Sequence, residues 1–230
     1  MLVARREERL RALADELDCE YQVCDVGDRD QVERIAGALR ERHPSIQLLV
    51  NNAGIRARTG FFGADPKLIE NALRINYLGS AWCLRAFLPA LEAGAPSDVV
   101  NVVSVAGAVT FPPSGPYSAT KHAQLAFSRA VAAELRGREI RVHTILPGFV
   151  ETEGFPQRTV LRSRLFRRLV VEPDVVVKAI LRSLDRDRRE VYVPRIYRAA
   201  ALAQALAPSL LARLLARRGY RPGTGPGRGR

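Results

Sequence analysis

The sequence predicts an α/β protein in which helices cover both faces of a doubly wound parallel sheet. Short apolar runs, such as residues 98–103 and 141–146, alternate along the chain with segments whose apolar residues recur at helical spacing. This alternation is typical of a parallel sheet, because parallel strands need a crossover helix to connect them. The length of 230 residues suits a single domain with a substantial core.

The individual elements follow from local residue patterns. Leucines recur every three or four residues after the apolar run at residues 2–4, so a helix follows the first strand. His43 and Pro44 close the second helix, and Pro66 starts a long one. We expect strands at residues 2–4, 21–24, 46–50, 98–103, 141–146 and 190–194, and helices at residues 5–17, 29–42, 66–91, from 117 onward and 173–184.

The C-terminal region carries a stripe of leucines that is interrupted by Pro208. Residues 195–218 are therefore interpreted as an amphipathic helical extension of the domain at residues 1–194. A disordered basic tail is expected at residues 219–230, which are rich in glycine, proline and arginine. Three interpretations of the stripe stay open: packing on this chain or on a partner subunit, contact with an anionic membrane surface, or a lid over an apolar substrate.

Positive charge is concentrated in the last third of the chain. The formal net charge is +12, and residues 151–230 hold 18 basic and 7 acidic residues. Such an excess is typical of a solvated arginine-rich surface, with attraction to anionic lipid or nucleic acid as the alternative. No specific nucleic-acid partner is expected.

The three cysteines, Cys19, Cys24 and Cys83, have neither metal-ligand nor redox-motif spacing. We therefore expect reduced thiols in or near the core, no metal site and a cytoplasmic location, with membrane contact through the C-terminal helix as an alternative. No apolar run reaches the ~18 residues of a membrane span, and the first residues run directly into charges rather than into a signal peptide.

Three polar residues, Ser104, Tyr117 and Lys121, are candidates for proton transfer. Ser104 is expected at the carboxyl end of strand 98–103, where open α/β sheets bind ligands, and Tyr117 and Lys121 share one helix face. A free phenol has a pKa near ~10, and a cation about 4 Å away, worth roughly 4 kcal/mol, brings that pKa towards neutrality. Such a phenol exchanges a proton with a carbonyl or alcohol oxygen while the serine hydroxyl holds that oxygen.

The motifs around these residues resemble those of the classical short-chain dehydrogenase/reductase family. Residues 51–54, Asn-Asn-Ala-Gly, resemble the family motif that follows a strand. Asn76 matches the asparagine of the family's catalytic tetrad, and Ser104, Tyr117 and Lys121 match its other three members. The resemblance covers residues 1 to about 194, with the motifs in family order.

The resemblance implies a Rossmann-like fold and an NADP-dependent oxidoreductase that interconverts a secondary alcohol and a ketone. Tyr117 is then the proton donor or acceptor, Lys121 lowers the pKa of Tyr117 and binds the nicotinamide ribose, and Ser104 orients the substrate oxygen. Asn76 supports a proton relay through water. The aromatic and proline residues at 111–116 suggest an apolar small-molecule substrate, and the long helices suggest a homo-oligomer, a dimer or tetramer.

The resemblance also assigns nucleotide-binding residues. Arg5 fits the place of a basic residue that pairs with the ribose 2′-phosphate, so NADP is expected rather than NAD, with an ordinary helix-entry surface as the alternative for Arg5. Asp25 and Val26 resemble the Asp-Val pair that contacts the adenine. The remaining expected nucleotide contacts are Asn52, Ala53, Gly54, Tyr117, Lys121, Pro147, Gly148 and Thr152.

The chain departs from the family at its N-terminus. Its only glycines before residue 50 are Gly27 and Gly37, so the glycine-rich loop, together with the first strand–helix unit, is expected to be lacking. Loss of that strand removes about 10 kcal/mol of apolar burial, comparable to the ~5–15 kcal/mol stability of a whole domain. Two interpretations stay open: a truncated dehydrogenase whose gene product starts upstream, or a catalytically inactive remnant that binds partners or a membrane surface.

Overall fold

The computed structural model of the chain describes residues 1–57, 59–110, 114–152, 169–210 and 213. The strands are β1 (Leu2–Ala4), β2 (Tyr21–Val23), β3 (Leu48–Asn51), β4 (Ser97–Val102), β5 (Ile140–Pro147), β6 (Phe149–Val150), β7 (Val170–Val171) and β8 (Glu190–Val193). The α-helices are α1 (Glu7–Leu17), α2 (Arg29–Arg42), α3 (Pro66–Leu73), α4 (Gly79–Ala93), α5 (Gly115–Glu134), α6 (Pro173–Asp185) and α7 (Tyr197–Leu206). The strands and helices expected before residue 195 are all present, and β6 and β7 are two short additions.

The main sheet has four parallel strands in the order β3-β4-β5-β8. Neighbouring residues of β4 face opposite sides of it, because side chains alternate along a strand. Val99 packs into a core with Leu84 of α4, whereas Val100 packs into a second core with Val176 of α6. Helices therefore cover both faces, which confirms the predicted α/β class and doubly wound sheet.

β1 and β2 pair with each other in a separate two-stranded parallel sheet. In the described part of the chain no strand lies between β1 and β3, where the sequence analysis expects a gap. Leu48 and Val50 on β3 keep 47% and 45% of their surface exposed. The β3 edge of the main sheet is therefore apolar and open.

The long helix expected at residues 66–91 differs from the expectation in one place. It is divided into α3 and α4 by a π-helical turn, Arg74–Leu78. In such a turn the backbone hydrogen bonds join residues five apart instead of four, which accommodates one extra residue. Asn76 lies in this turn and is completely buried. The turn therefore aims a polar side chain into the interior, which a regular apolar pattern does not reveal.

Helix α7 lies within the extension expected at residues 195–218 and ends at Leu206, just before Pro208. Its leucine stripe does not pack on the described part of the chain, since Leu202, Leu206 and Leu210 are all exposed. Among the described residues no helix is long and apolar enough to cross a membrane. The tail at residues 219–230 lies outside the described residues, so its disorder stays a prediction.

Candidate functional site

A cavity of about 650 Å³ opens at the carboxyl ends of β4 and β5. Its wall is largely apolar and includes several polar groups. Eight of the residues predicted from the sequence line it: Asn52, Gly54, Ser104, Tyr117, Lys121, Pro147, Gly148 and Thr152. Parallel strands bring these residues together because each strand of the main sheet ends at the same edge.

Ser104 lies two residues after the end of β4, and its hydroxyl forms a hydrogen bond to the last residue of β5. Its Oγ donates to the carbonyl oxygen of Pro147 at 3.3 Å and accepts from the backbone N–H of Ala106 at 3.1 Å. These two bonds fix the hydroxyl at the rim of the cavity. The second lone pair of the Oγ can accept a further hydrogen bond, and the bond to Pro147 can be exchanged for one to a ligand oxygen.

Tyr117 and Lys121 lie one helical turn apart on α5, as the spacing predicts. The Nζ of Lys121 lies 6.0 Å from the centroid of the Tyr117 ring, close enough for its charge to act on the phenol. Burial of Lys121 lowers its pKa to about 7. The sequence alone suggests a permanent cation here, whereas in the structure the charge of Lys121 is sensitive to pH in the neutral range, because the ammonium is desolvated.

The Nζ of Lys121 donates hydrogen bonds to two acceptors. It donates to the Oε1 of Gln124 at 2.7 Å and, at a longer distance of 3.4 Å, to the carbonyl oxygen of Val102. The Lys121 ammonium is thus held by two acceptors, and its third hydrogen can bond to a further partner.

Asn76 lies behind the cavity wall rather than on it. Its Oδ1 accepts from the N–H of Ile55 at 2.7 Å, and its Nδ2 donates to the Ile55 carbonyl and to the Thr120 Oγ1, both at 3.0 Å. A Cβ added to Gly54 would lie 3.3 Å from this Oδ1 and 3.7 Å from the Nζ of Lys121. Asn76 therefore ties the loop after β3 to α5, and its expected part in a proton relay stays a prediction.

The residues expected around the adenosine lie away from the cavity. Arg5 and Asp25 stand at the ends of β1 and β2, with the Arg5 Nη1 3.8 Å from the Asp25 Oδ2. The Asp25 Oδ1 also accepts from the N–H of Gly27 at 2.9 Å. Val26 packs against Gly79 at the start of α4. Ala53 is exposed in the loop after β3.

Comparison with known proteins gives a family for this arrangement. Residues 1–159, more than half of the chain, match the family described as short chain dehydrogenase. The chain belongs to this family. The short-chain dehydrogenase chain is 37% identical over 134 residues to Dehydrogenase/reductase SDR family member 4 of Rattus norvegicus, covering 56% of the chain and 47% of that relative. It is 28% identical over 200 residues to human Short-chain dehydrogenase/reductase 3, covering 84% of the chain and 66% of that relative.

The short-chain dehydrogenase chain therefore spans about half to two thirds of the length of these relatives. Among solved structures it resembles a short chain dehydrogenase from Burkholderia cenocepacia J2315 in complex with NADP, with a TM-score of 0.78 and 28% identity over 93% of this chain and 84% of that chain. An alcohol dehydrogenase from the archaeon Thermococcus sibiricus, complexed with 5-hydroxy-NADP, has a TM-score of 0.71 and 25% identity over 83% of this chain and 82% of that chain. These likenesses confirm the Rossmann-like fold.

Several residues of the site were missed by sequence reasoning. Gln124 had a signal, because it lies three residues after Lys121 and seven after Tyr117, on the same helix face. Val176 and Ile180 of α6 and Val150 of β6 also line the cavity. Their part could not be found in the sequence, since apolar residues at helical spacing predict burial but not which cavity they border.

The apolar wall expected at residues 111–116 is only partly described, because residues 111–113 lie outside the described residues. Pro116, the last proline of that wall, is buried in the first turn of α5. It fixes the entry to the helix one residue before Tyr117.

Proposed function

We propose that this short-chain dehydrogenase is an NADP-dependent oxidoreductase that interconverts a secondary alcohol and a ketone. The observation that carries the proposal is that Ser104, Tyr117 and Lys121 all line a single cavity. A hydroxyl that can hold an oxygen, a phenol that can exchange a proton and an ammonium that can favour the phenolate are together what carbonyl reduction requires.

The polar residues that line the cavity suit the nicotinamide riboside half of a dinucleotide. Lys121 offers an N–H to ribose hydroxyls, Asn52 and Gly54 leave room beside it, and Thr152 offers a hydroxyl to a carboxamide. The nucleotide, when bound, supplies or accepts the hydride. Residues 1–50 contain no glycine-rich loop to bind the pyrophosphate of the nucleotide. The proposal for nucleotide binding therefore rests on the residues around the nicotinamide riboside.

The protein's own groups manage the proton and the oxygen. Ser104 donates its hydrogen to the substrate oxygen after releasing the carbonyl of Pro147. Tyr117 gives its phenolic proton to that oxygen during reduction and takes it back during oxidation. Lys121 in its ammonium form favours the phenolate of Tyr117 through its charge.

The nucleotide preference and the substrate class are finer parts of the proposal. Arg5 favours NADP, since its guanidinium is exposed at the end of β1 and can pair with a 2′-phosphate. The valine and isoleucine side chains of the cavity favour an apolar substrate, because they offer no hydrogen bond to a polar group placed against them. A cytoplasmic location agrees with the three free cysteines.

Assembly is proposed on separate grounds. Exposed leucines on α7 provide an apolar surface for a second subunit, with an anionic membrane surface as the competing partner. Light scattering of the purified chain should give a mass above that of one chain. Co-sedimentation with anionic vesicles and no change in mass would favour the membrane instead.

Loss of NADPH absorbance in the presence of a panel of apolar ketones tests the central proposal. Wild type should consume NADPH, and Tyr117→Phe should lower the rate by about 10²–10⁴-fold, because the proton donor is gone. Phe127→Leu, on the same helix but not lining the cavity, is the control and should retain the rate within a few fold. Consumption at equal rates by wild type and Tyr117→Phe contradicts the proposal, and no consumption by any variant favours the inactive alternative.

A further inference from the structure

Gln124 is a buried amide whose two ends are both engaged. It has no exposed surface and lies one helical turn after Lys121 on α5. Its Oε1 accepts from the Nζ of Lys121 at 2.7 Å, and its Nε2 donates to the Oγ of Ser80 on α4 at 2.9 Å. An amide in an apolar interior is costly unless its hydrogen bonds are made, so these contacts explain how the glutamine is tolerated there.

The orientation of this amide follows from the chemistry of lysine. An ammonium group donates hydrogen bonds and accepts none, so the amide must turn its oxygen towards Lys121 and its nitrogen towards Ser80. The bond to Gln124 is 0.7 Å shorter than the bond from the same Nζ to the Val102 carbonyl, 2.7 Å against 3.4 Å. Gln124 is therefore the closer of the two recorded acceptors for the lysine charge.

We propose that Gln124 is a positioning residue that holds the Nζ of Lys121 beneath Tyr117 and stabilises the protonated form of the lysine. Ser80 in turn holds the amide, which links the site on α5 to α4. The effect on Tyr117 rests on the proposed function, whereas the effect on the charge of Lys121 does not.

The surroundings of Lys121 leave this contact little competition. Tyr117 is the titratable group that faces it from the same helix. Val102 of β4 contacts the Nζ through its backbone carbonyl. Asn76 borders Gly54, as the Nζ does, and Ser80 of α4 bonds to Gln124; neither side chain titrates. Burial is the main cause of the lowered lysine pKa and favours the neutral amine. A hydrogen bond to the ammonium opposes that effect.

Direct titration of Lys121 by NMR tests the inference without any turnover. The chain has three lysines, and Lys67 and Lys178 are exposed, so labelling with [ε-¹³C]lysine gives three resonances. Lys121→Met identifies the buried one. In Gln124→Met, which keeps the length and removes the acceptor, the titration midpoint of Lys121 should fall by about one to two pH units. In Gln124→Glu it should rise, because a carboxylate accepts the same bond with a charge.

A matched control is Gln47→Met, the same change at an exposed glutamine, which should leave the midpoint in place. An unchanged midpoint in a folded Gln124→Met protein overturns the inference. Should that variant not fold, an unchanged or lowered midpoint in Gln124→Glu overturns it equally. A shifted midpoint supports it.

Kinetics then separate this inference from the proposed function. In an active protein, Gln124→Met should move the alkaline limb of the kcat profile to lower pH by the same amount as the NMR midpoint, and Gln124→Glu should move it to higher pH. An NMR shift without turnover by the wild-type chain supports the positioning of Lys121 and contradicts the oxidoreductase. A shift in the NMR midpoint with an unmoved kinetic profile supports the contact and removes Lys121 from the proton chemistry.

Discussion

The ring of Tyr197 lies directly over Gly148, so that a Cβ added to the glycine would collide with the ring carbons Cε2 and Cζ. The tyrosine hydroxyl donates to the Leu169 carbonyl at 3.3 Å, and its ring meets that of Phe149 edge to face at 6.5 Å. Burial raises the pKa of Tyr197 to about 12, so the phenol stays neutral at physiological pH. The first turn of α7 is therefore anchored to the turn that borders the cavity.

Replacement of Gly148 by alanine should destabilise the chain by about 1–3 kcal/mol, because the added methyl group has to displace a buried ring. Urea unfolding provides the measurement. In a Tyr197→Leu background the same change should cost less, since the obstacle is smaller. Gly37→Ala is the control: nothing lies within 4 Å of a Cβ at this position inside α2, so the change should stabilise by about 0.5–1 kcal/mol. Equal costs for Gly148→Ala in both backgrounds would contradict the contact.

The buried charge of Lys121 should make stability depend on pH. The folded pKa is about 7, whereas an unfolded lysine has a pKa near ~10.4, so between these values the unfolded chain binds a proton that the folded chain does not. The free energy of unfolding should therefore rise with pH from about 7, by up to about 1.4 kcal/mol per pH unit. The destabilisation caused by the buried lysine should be greatest below pH ~7. Lys121→Met should remove this slope.

Urea unfolding at pH 7.0 and about 8.5 measures the slope as the difference between wild type and Lys121→Met, in which contributions of the cysteines cancel. The exposed Lys67→Met is the control and should keep the wild-type slope. Parallel pH profiles for wild type and Lys121→Met are the result that would speak against a desolvated lysine.

Removal of the Arg5 guanidinium should separate the two nucleotides. Arg5→Ala should weaken NADPH binding by about tenfold and leave NADH binding within about twofold, because only NADPH carries the 2′-phosphate. The salt bridge to Asp25 spans 3.8 Å between partly exposed groups, so its loss should scarcely change stability. Arg6→Ala is the neighbouring control. Equal losses for both nucleotides, or an equal loss in Arg6→Ala, would remove Arg5 from phosphate recognition.

The opposite end of the sheet holds a buried histidine that should matter for stability alone. His143 on β5 has its Nε2 2.8 Å from the Asp98 Oδ1 and its Nδ1 3.1 Å from the Ser183 Oγ. His143→Leu should cost about 2–4 kcal/mol, because it leaves buried polar partners unsatisfied. Asp98 lies near the amino end of β4, whereas Ser104 follows its carboxyl end. Nucleotide affinity should therefore change less than twofold in His143→Leu. A tenfold loss of affinity in a folded variant would contradict the location of the site.

Much of the site could be predicted because its residues directly follow strands or share one helix face. Ser104 comes just after β4, and Tyr117 and Lys121 need only a helix to meet. The position of Asn76 in a π-helical turn could not be predicted, because the surrounding apolar pattern fits a regular helix equally well. The contact between Tyr197 and Gly148 joins segments far apart in sequence, and no local pattern encodes it.

The ionisation state of a side chain is likewise not determined by local sequence. Sequence spacing brings Lys121 next to Tyr117, but the ionisation of the lysine depends on how completely the fold removes it from water. The partner that compensates, Gln124, is an uncharged residue on a helix, which is exposed in most proteins. Only the packing of α4 against α5 makes it a buried acceptor.

Calorimetric titration of the chain with NADPH tests the central claim most directly. Binding should be tighter for NADPH than for NADH, unchanged within about threefold in Tyr117→Phe, and weakened at least about tenfold in Lys121→Met, because the proposed function places Lys121 at the ribose and gives Tyr117 the proton transfer. Absence of NADPH binding, or equal affinities for wild type and a folded Lys121→Met, would contradict a nucleotide site in this cavity.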